Sequence, residues 1–397
     1  MRKFVLLVKK NKIIYRIFSI IYLLAQRLYF SVFLFLFSIF PINRKKVMII
    51  SYYGKGYGDS GKYIANELMK NSDIQVYWAG KSGNKDSIPN YLKYVKYNSI
   101  GYLYHLATSG FWINNTRFRY GIIKRKKQYY IQVWHGGLAL KRVEYDVLDD
   151  LPYVYQKAME NDNKMIDLMI SNSSFCTKMY RNAFRYDGKI LEVGTPRNDV
   201  LVNETLNVLK KKVFDFYNIS ETKRILLYAP TFRNSFEINP YDIDFEKIKK
   251  ELDLKTGNDW KILIRLHPNM KSTNLITYTD DCIDATNYPD MQELIASCDL
   301  LITDYSSTMF EALIANKAVV LYTRDIENYS KSRGYYFELE KLPFLIAKNN
   351  KELINIFKEN DINQLKDNYV KFINDVSLKE TGNASKEIAK LIVKGVN

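Results

Sequence analysis

Only three histidines occur in the 397 residues, and two of them close motifs that could carry chemistry. His135 stands in Gln132-Val133-Trp134-His135-Gly136-Gly137, and His267 in Arg265-Leu266-His267-Pro268. Each follows an apolar, β-branched run, residues 129–133 and 260–266, that reads as a buried strand. Open α/β sheets bind ligands beyond the carboxyl ends of their strands, so the pattern predicts an imidazole at each of two sheet lips. Imidazole titrates closest to neutral pH, which suits proton transfer. A lone histidine more often makes a structural hydrogen bond; two at equivalent strand ends favour function. The third, His105, falls in a predicted helix without a companion motif and reads as structural.

Around these imidazoles lie groups suited to phosphate. An apolar strand ends at Thr303-Asp304, and Tyr305-Ser306-Ser307-Thr308 then opens a helix. A helix start offers free N–H groups and partial positive charge to an anion. Capping alone needs one hydroxyl, so Ser306, Ser307 and Thr308 together point to a ligand. Glu311, one turn on, could accept from ribose hydroxyls or simply face solvent. Another strand ends in Ala229-Pro230-Thr231-Phe232-Arg233. Arg233 and Arg265 are expected to lean into a cleft and neutralise phosphate oxygens, with surface salt bridges as the alternative. Gly56-x-x-x-x-Gly61-Lys62 nearly matches a P-loop, but Tyr63 replaces the hydroxyl residue that Mg²⁺ needs, and the glycines miss the dinucleotide spacing. Residues 54–61 therefore read as a flexible loop at the cleft, with Gly54 and Gly56 near acceptor or phosphate. Gly194-Thr195-Pro196-Arg197-Asn198-Asp199 reads as a turn near a domain boundary, a hinge and no more. No metal-ligand cluster is evident, and no cofactor is called for.

These groups need elements to hold them. Strands are predicted at 47–52, 74–78, 111–114, 129–133, 168–171 and 189–193, then at 225–228, 261–266, 300–303 and 318–322. Helices fall between them, as at 62–70, 291–297 and 308–315. Alternating β and α implies parallel sheets covered on both faces. Two such sets predict an α/β architecture of two Rossmann-like domains facing a cleft. The expected boundaries are 46–202 for the first domain, 203–223 for a polar linker, and 224–397 for the second domain with C-terminal helices.

Charge separates the remaining segment, residues 1–45. Ten of the net sixteen positive charges lie in residues 1–46, which contain no Asp or Glu. Residues 17–40 are almost wholly apolar, interrupted by Gln26-Arg27 and stopped by Pro41. The length would span a bilayer, but a central Arg27 is costly there, and basic flanks on both sides give no orientation. A helix in the plane of an anionic membrane surface fits better. Basic residues also bind nucleic acid, but the adjoining apolar block argues for lipid and against nucleic acid. Three scattered cysteines form no disulfide framework and suit a reducing compartment.

Read in order, W-H-G-G (134–137), S-N-S-S…A-F (171–184), G-T-P-R-N-D (194–199), A-P-T-F-R (229–233), R-L-H-P (265–268), D-Y-S-S-x-x-F-E (304–311) and Y-x-x-x-R-G-Y-Y-F (329–337) resemble the CDP-glycerol glycerophosphotransferase family of teichoic acid synthesis. The resemblance covers roughly residues 47–380. It implies a GT-B-like fold and a peripheral enzyme on the cytoplasmic face of the cell membrane. It further implies transfer of glycerol phosphate from CDP-glycerol to a polyprenyl-linked saccharide, with release of CMP. On that reading the donor meets Thr231, Arg233, Arg265, Ser306, Ser307, Thr308 and Glu311. His135 is the general base, His267 steadies the phosphate or leaving group, and Trp134, Gly136, Gly54 and Gly56 lie on the acceptor side. The family usually carries Asp where this chain has Glu311, and an aromatic or aliphatic residue where it has Thr195. The chain's size suggests a primase adding one unit. Polymerisation, a CDP-ribitol donor, a capsule-type acceptor, a nucleotide-sugar glycosyltransferase and a non-catalytic membrane-bound scaffold are the competing readings.

Overall fold

The molecule is a computed structural model describing residues 11–203, 206–233, 239–267, 270, 276–326 and 334–396, and thirteen short strands organise those described residues. The chain begins with helix α1 (Lys12–Phe37), capped by Asn11, whose side chain accepts from the N–H groups of Ile13 and Ile14. There follow β1 (Asn43–Ile50), α2 (Asp59–Leu68), β2 (Gln75–Gly80), β3 (Lys93–Lys96), α3 (Ile100–Thr108), β4 (Ser109–Asn114) and β5 (Tyr129–Gln132). Then come α4 (Tyr153–Asn163), β6 (Leu168–Ser171), α5 (Ser174–Ala183) and β7 (Lys189–Glu192). These strands form one parallel sheet in the order β3-β2-β1-β4-β5-β6-β7. The second half runs α6 (Leu206–Tyr217), β8 (Arg224–Tyr228), α7 (Phe245–Thr256), β9 (Trp260–Ile264), β10 (Cys282–Asp284) and α8 (Met291–Ser297). It continues with β11 (Leu300–Thr303), α9 (Thr308–Ile314), β12 (Ala318–Tyr322), β13 (Leu345–Ala347) and α10 (Asn350–Glu359), and closes with α11 (Ala384–Val396). Its sheet, also parallel, is ordered β10-β9-β8-β11-β12-β13.

Both sheets are covered on two faces, so their central strands are buried throughout: β4 has no exposed residue, and neither do β11 and β12. The strand order reverses between β1 and β4 in one sheet and between β8 and β11 in the other. A reversal of this kind opens a crevice at the strands' carboxyl ends, and the two crevices face each other as a GT-B-like cleft.

Three features differ from expectation. Strands β3, β10 and β13, each of three or four residues, are too short to stand out by composition, and edge positions tolerate that. The segment expected as a linker holds α6, which buries Val213 and Phe214 against α8. The last helix does not stay with the second sheet: α11 returns to the first, where Ile388, Ala389 and Ile392 join the core of Val47, Ile49 and Ile64. Amphipathic helices go where their apolar face is buried, and in both cases that face found a partner outside the assigned segment.

Candidate active site

His135 lies just past β5, on a loop whose backbone is strained. Trp134 has φ +46° and holds its ring under His135, centroids 4.0 Å apart. A left-handed conformation is unusual for a bulky residue, and such strain concentrates at functional sites. Trp134 is itself buried, edge-on to Phe184 and above Arg117. Arg117 is fixed by Glu144 at 2.7 Å and Asp162 at 3.0 Å. Trp134, so buried, therefore supports the imidazole from below.

The imidazole's orientation follows from one bond. Nδ1 of His135 lies 2.8 Å from the carbonyl oxygen of Asn115. A carbonyl only accepts, so Nδ1 carries the proton and Nε2 of the neutral ring keeps its lone pair. Solvent reaches the ring, yet the cleft walls around it remove enough water to disfavour the cation, and the pKa falls below its ordinary value. Asn115 also accepts from the N–H of Tyr52 at 2.9 Å. Here Tyr52, Tyr53 and Gly54 are all left-handed, with φ +44°, +57° and +79°. A Cβ on Gly54 would lie 2.8 Å from Tyr97 Cβ, and its carbonyl accepts from Lys81 N–H. Gly56 accepts from the Trp78 indole at 3.2 Å. Both glycines therefore shape the loop and tie it to β2. Gly136 has open space around its Cα, room for a ligand beside His135.

One guanidinium joins the two halves. Arg197 donates to the backbone oxygen of His135 at 3.0 Å and to Asp59 Oδ2 at 2.7 Å, and its other terminal nitrogen pairs with Glu311 on α9. Burial opposes its charge, but Glu311 and Asp59 outweigh that and hold it protonated. Burial also pushes Asp59 upward, yet Arg197 and the Tyr52 hydroxyl prevail and keep it ionised. The second oxygen of Glu311 accepts from Gln292 Nε2 at 3.0 Å. Glu311 is thus 5 % exposed and engaged at both oxygens. It bridges the halves, a correction to its expected ribose contact. Nearby, Lys62 of the P-loop-like stretch pairs with Asp290 and Glu293, and Tyr63 donates to Asp290 at 3.0 Å. Lys62 is therefore engaged in this interdomain contact.

On the opposite lip, Ser306, Ser307 and Thr308 are half-buried at the start of α9. Ser306 caps the turn, accepting from Thr308 N–H at 3.3 Å and donating to Thr308 Oγ1 at 2.9 Å, while Ser307 makes no capping bond. Asp304 orders this turn by accepting from Thr231 N–H at 2.9 Å and Tyr305 N–H at 2.7 Å. Arg233 does not lean into the cleft. It is buried against Asp304 at 2.8 Å and Asp325 at 2.9 Å, because an interior guanidinium needs compensating carboxylates. Arg265 is held by the carbonyl of Tyr288 at 2.6 Å, with burial lowering its pKa. His267 is exposed and tilted 35° to the Phe232 ring; partial loss of water around the imidazole, and then Lys55 and Lys141 of the other half, lower its pKa. Those two lysines put first-half cations near His267. Pro268, Tyr329 and Arg333 of the motif series lie outside the described residues.

Sequence reasoning missed Arg197, Asp59, Tyr52, Asn115 and Gln292. Only Arg197 left a signal, an arginine inside a turn after a strand, and its partners lie 138 and 114 residues away. Among the described residues no cluster of His, Cys, Asp and Glu could hold a metal ion.

Residues 32–394 match the family described as CDP-glycerol:poly(glycerophosphate) glycerophosphotransferase. A teichoic acid poly(glycerol phosphate) polymerase of Bacillus spizizenii is 28 % identical over 97 % of this chain and 98 % of its own length. A teichoic acid glycerol-phosphate transferase of Staphylococcus aureus is 29 % identical over 89 % of this chain and 94 % of its own. This chain spans about half the length of other polymerases, as in Staphylococcus epidermidis, where identity is 32 %. The solved structure of the wall teichoic acid polymerase TagF superposes with a TM-score of 0.81 at 29 % identity, covering 96 % of this chain and 97 % of that one. Motif order, paired parallel sheets and a match across nearly the whole chain agree: this chain belongs to the CDP-glycerol:poly(glycerophosphate) glycerophosphotransferase family of transferases.

Proposed function

We propose that the protein transfers glycerol phosphate from CDP-glycerol to a hydroxyl of a polyprenyl-linked saccharide at the cytoplasmic face of the membrane. The observation that carries this reading is His135: Nδ1 donates to Asn115, the ring is held neutral, and Nε2 is left as a base. Nε2 takes the acceptor's hydroxyl proton as that oxygen attacks the phosphorus bearing glycerol. The bond from that phosphorus to the bridging oxygen breaks, and CMP leaves with the electron pair. Arg265, His267 and the Ser306–Thr308 hydroxyls stabilise charge on the pyrophosphate, with Thr231 beside them. A positioned base contributes about 10²–10⁴ in rate, and a preorganised phosphate donor about 10²–10³. Support comes from the chain's similarity to a teichoic acid glycerol-phosphate transferase and to a TagF structure soaked with CDPG.

Length does not favour a primase, since the Bacillus spizizenii polymerase is matched end to end. Product length therefore belongs to the test. Purified protein is given CDP-glycerol, CDP-ribitol or a UDP-sugar with a lipid-linked disaccharide, alongside His135→Ala. CMP release from CDP-glycerol that is lost in the variant is the expected result. UDP release from a sugar donor, with no CMP from either polyol, overturns it.

The peripheral location rests on α1. It is long and apolar enough to cross a membrane by length and composition. Yet Leu23, Phe30 and Leu34 are buried against the body, along α3 and α4, while Ile17, Ile21, Leu28 and Phe35 on its other sides are exposed. A helix packed along one face and apolar on the other suits insertion in the plane of the interface.

A further inference from the structure

A pocket of about 380 Å³ opens between α1, α4 and the loop that follows β4. That volume lies within the range of small-ligand sites, about 300–1,000 Å³. Its lining divides by chemistry. Ile20, Leu23, Leu24 and Ile123 form an apolar side, and Ile20 and Leu24 are 41 % and 60 % exposed, continuous with the bare face of α1. The polar side holds Arg27, Lys157, Lys164, Glu160 and Asn161. Glu160 is paired with Lys157 at 2.6 Å. Among the described residues Arg27 and Lys164 have no ion pair, so the pocket keeps two uncompensated cations.

Arg27 is held in this place by backbone fit. Gly121, at φ +91°, packs against the helix where any Cβ would lie 2.5 Å from Arg27 Cα. Arg16, three turns earlier on the same stripe, lies 3.2 Å over the ring of Tyr153, which also lines the pocket. The stripe Arg16, Ile20, Leu24 and Arg27 thus sets an arginine at each end of an apolar pair along one flank of α1. An arginine amid an apolar helix is costly unless it meets an anion at the interface.

We infer that this pocket binds the phosphate of an anionic membrane phospholipid, with Arg27 and Lys164 on the phosphate and Ile20, Leu24 and Ile123 against the start of its acyl chains. The inference rests on the membrane reading proposed above. It makes α1 a selective lipid anchor and more than an apolar float.

Vesicle flotation of the full chain tests it, using phosphatidylcholine with and without phosphatidylglycerol. The Arg27→Gln/Lys164→Gln pair is expected to lose about 25-fold of the phosphatidylglycerol-dependent affinity, at about fivefold per cation, while melting normally and still binding phosphatidylcholine. Lys126→Gln/Lys127→Gln removes the same charge from exposed positions outside the pocket and is expected to lose only a few-fold. Equal losses in the two pairs would mean diffuse attraction and overturn the pocket. Displacement by inorganic phosphate alone, without release by salt of equal ionic strength, would make the ligand free phosphate and overturn the lipid assignment. Wild-type protein that floats with neither vesicle sinks the membrane reading itself, and a dimer that covers α1 under those conditions would name a second copy as the occupant.

Discussion

At the scale of single residues, Arg197 ties the loop that carries His135 to the other half of the molecule. Its guanidinium meets the His135 carbonyl, Asp59 and, on the other half, Glu311. Removing one member of a buried ionic cluster leaves the others unpaired, at about 3–5 kcal/mol. Arg197→Met is therefore expected to lower unfolding free energy by that order in urea titration and to slow turnover as well. A variant with normal stability and rate would show the cluster to be incidental. His135 yields a second expectation. Its pKa is depressed, so the neutral base persists below the ordinary histidine value near 6.5. The acid limb of kcat/KM should fall below that pH and vanish with the residual activity of His135→Ala; a limb above it would mean another group titrates.

Among elements, the segment returning from the second half to α11 is latched by a carboxyl. Glu380 accepts from Asn172 Nδ2 at 2.9 Å, Thr195 N–H at 2.9 Å and Asn198 Nδ2 at 3.0 Å. Burial pushes its pKa up to about 7 against these donors. A raised carboxyl binds its proton more tightly folded than unfolded. Its contribution is thus fully present below the unfolded value near 4.5 and is lost as pH rises through about 7. Stability should drop on the order of 1 kcal/mol between pH 6 and pH 8 from this group. Glu380→Gln should flatten that slope in thermal melts at the two pH values; an unchanged slope would place the titration elsewhere. Strand ends position the rest of the site. Asn115, His135, Thr231, Arg265 and Ser306 each follow a strand, so the parallel sheets aim all five at one cleft.

Considered whole, the molecule has one face unlike the others. Helix α1 exposes Ile13, Ile17, Ile21, Leu28 and Phe35 while anchoring Phe30 in the main core. The two sides should respond oppositely to substitution. Ile21→Glu/Leu28→Glu is expected to abolish binding to every vesicle with little change in melting temperature, because both side chains are mostly exposed. Phe30→Ala should cost about 3–5 kcal/mol in stability and reduce vesicle binding only through unfolding. Flotation and melting measured on the same samples separate the two, and a destabilised exposed-face variant would mean that α1 packs on more of the body.

Local pattern alone was enough for the parallel sheets, the strand-end histidines, the hydroxyl-rich start of α9 and the apolar helix α1. Each depends on residues within about one element, where period and capping rules act directly. Charge pairing is different, because a side chain's partners are chosen by packing. That is why Arg233 and Glu311, both expected on the ligand, proved to be satisfied inside the protein. It is also why Arg197, taken for part of a hinge, became the joint between halves, and why α11 left the sheet nearest to it in sequence. Residue type and order determined which chemistry this chain could perform. Only the tertiary structure decided which charges remain available for it, since burying an ion demands a counter-ion however distant in the chain.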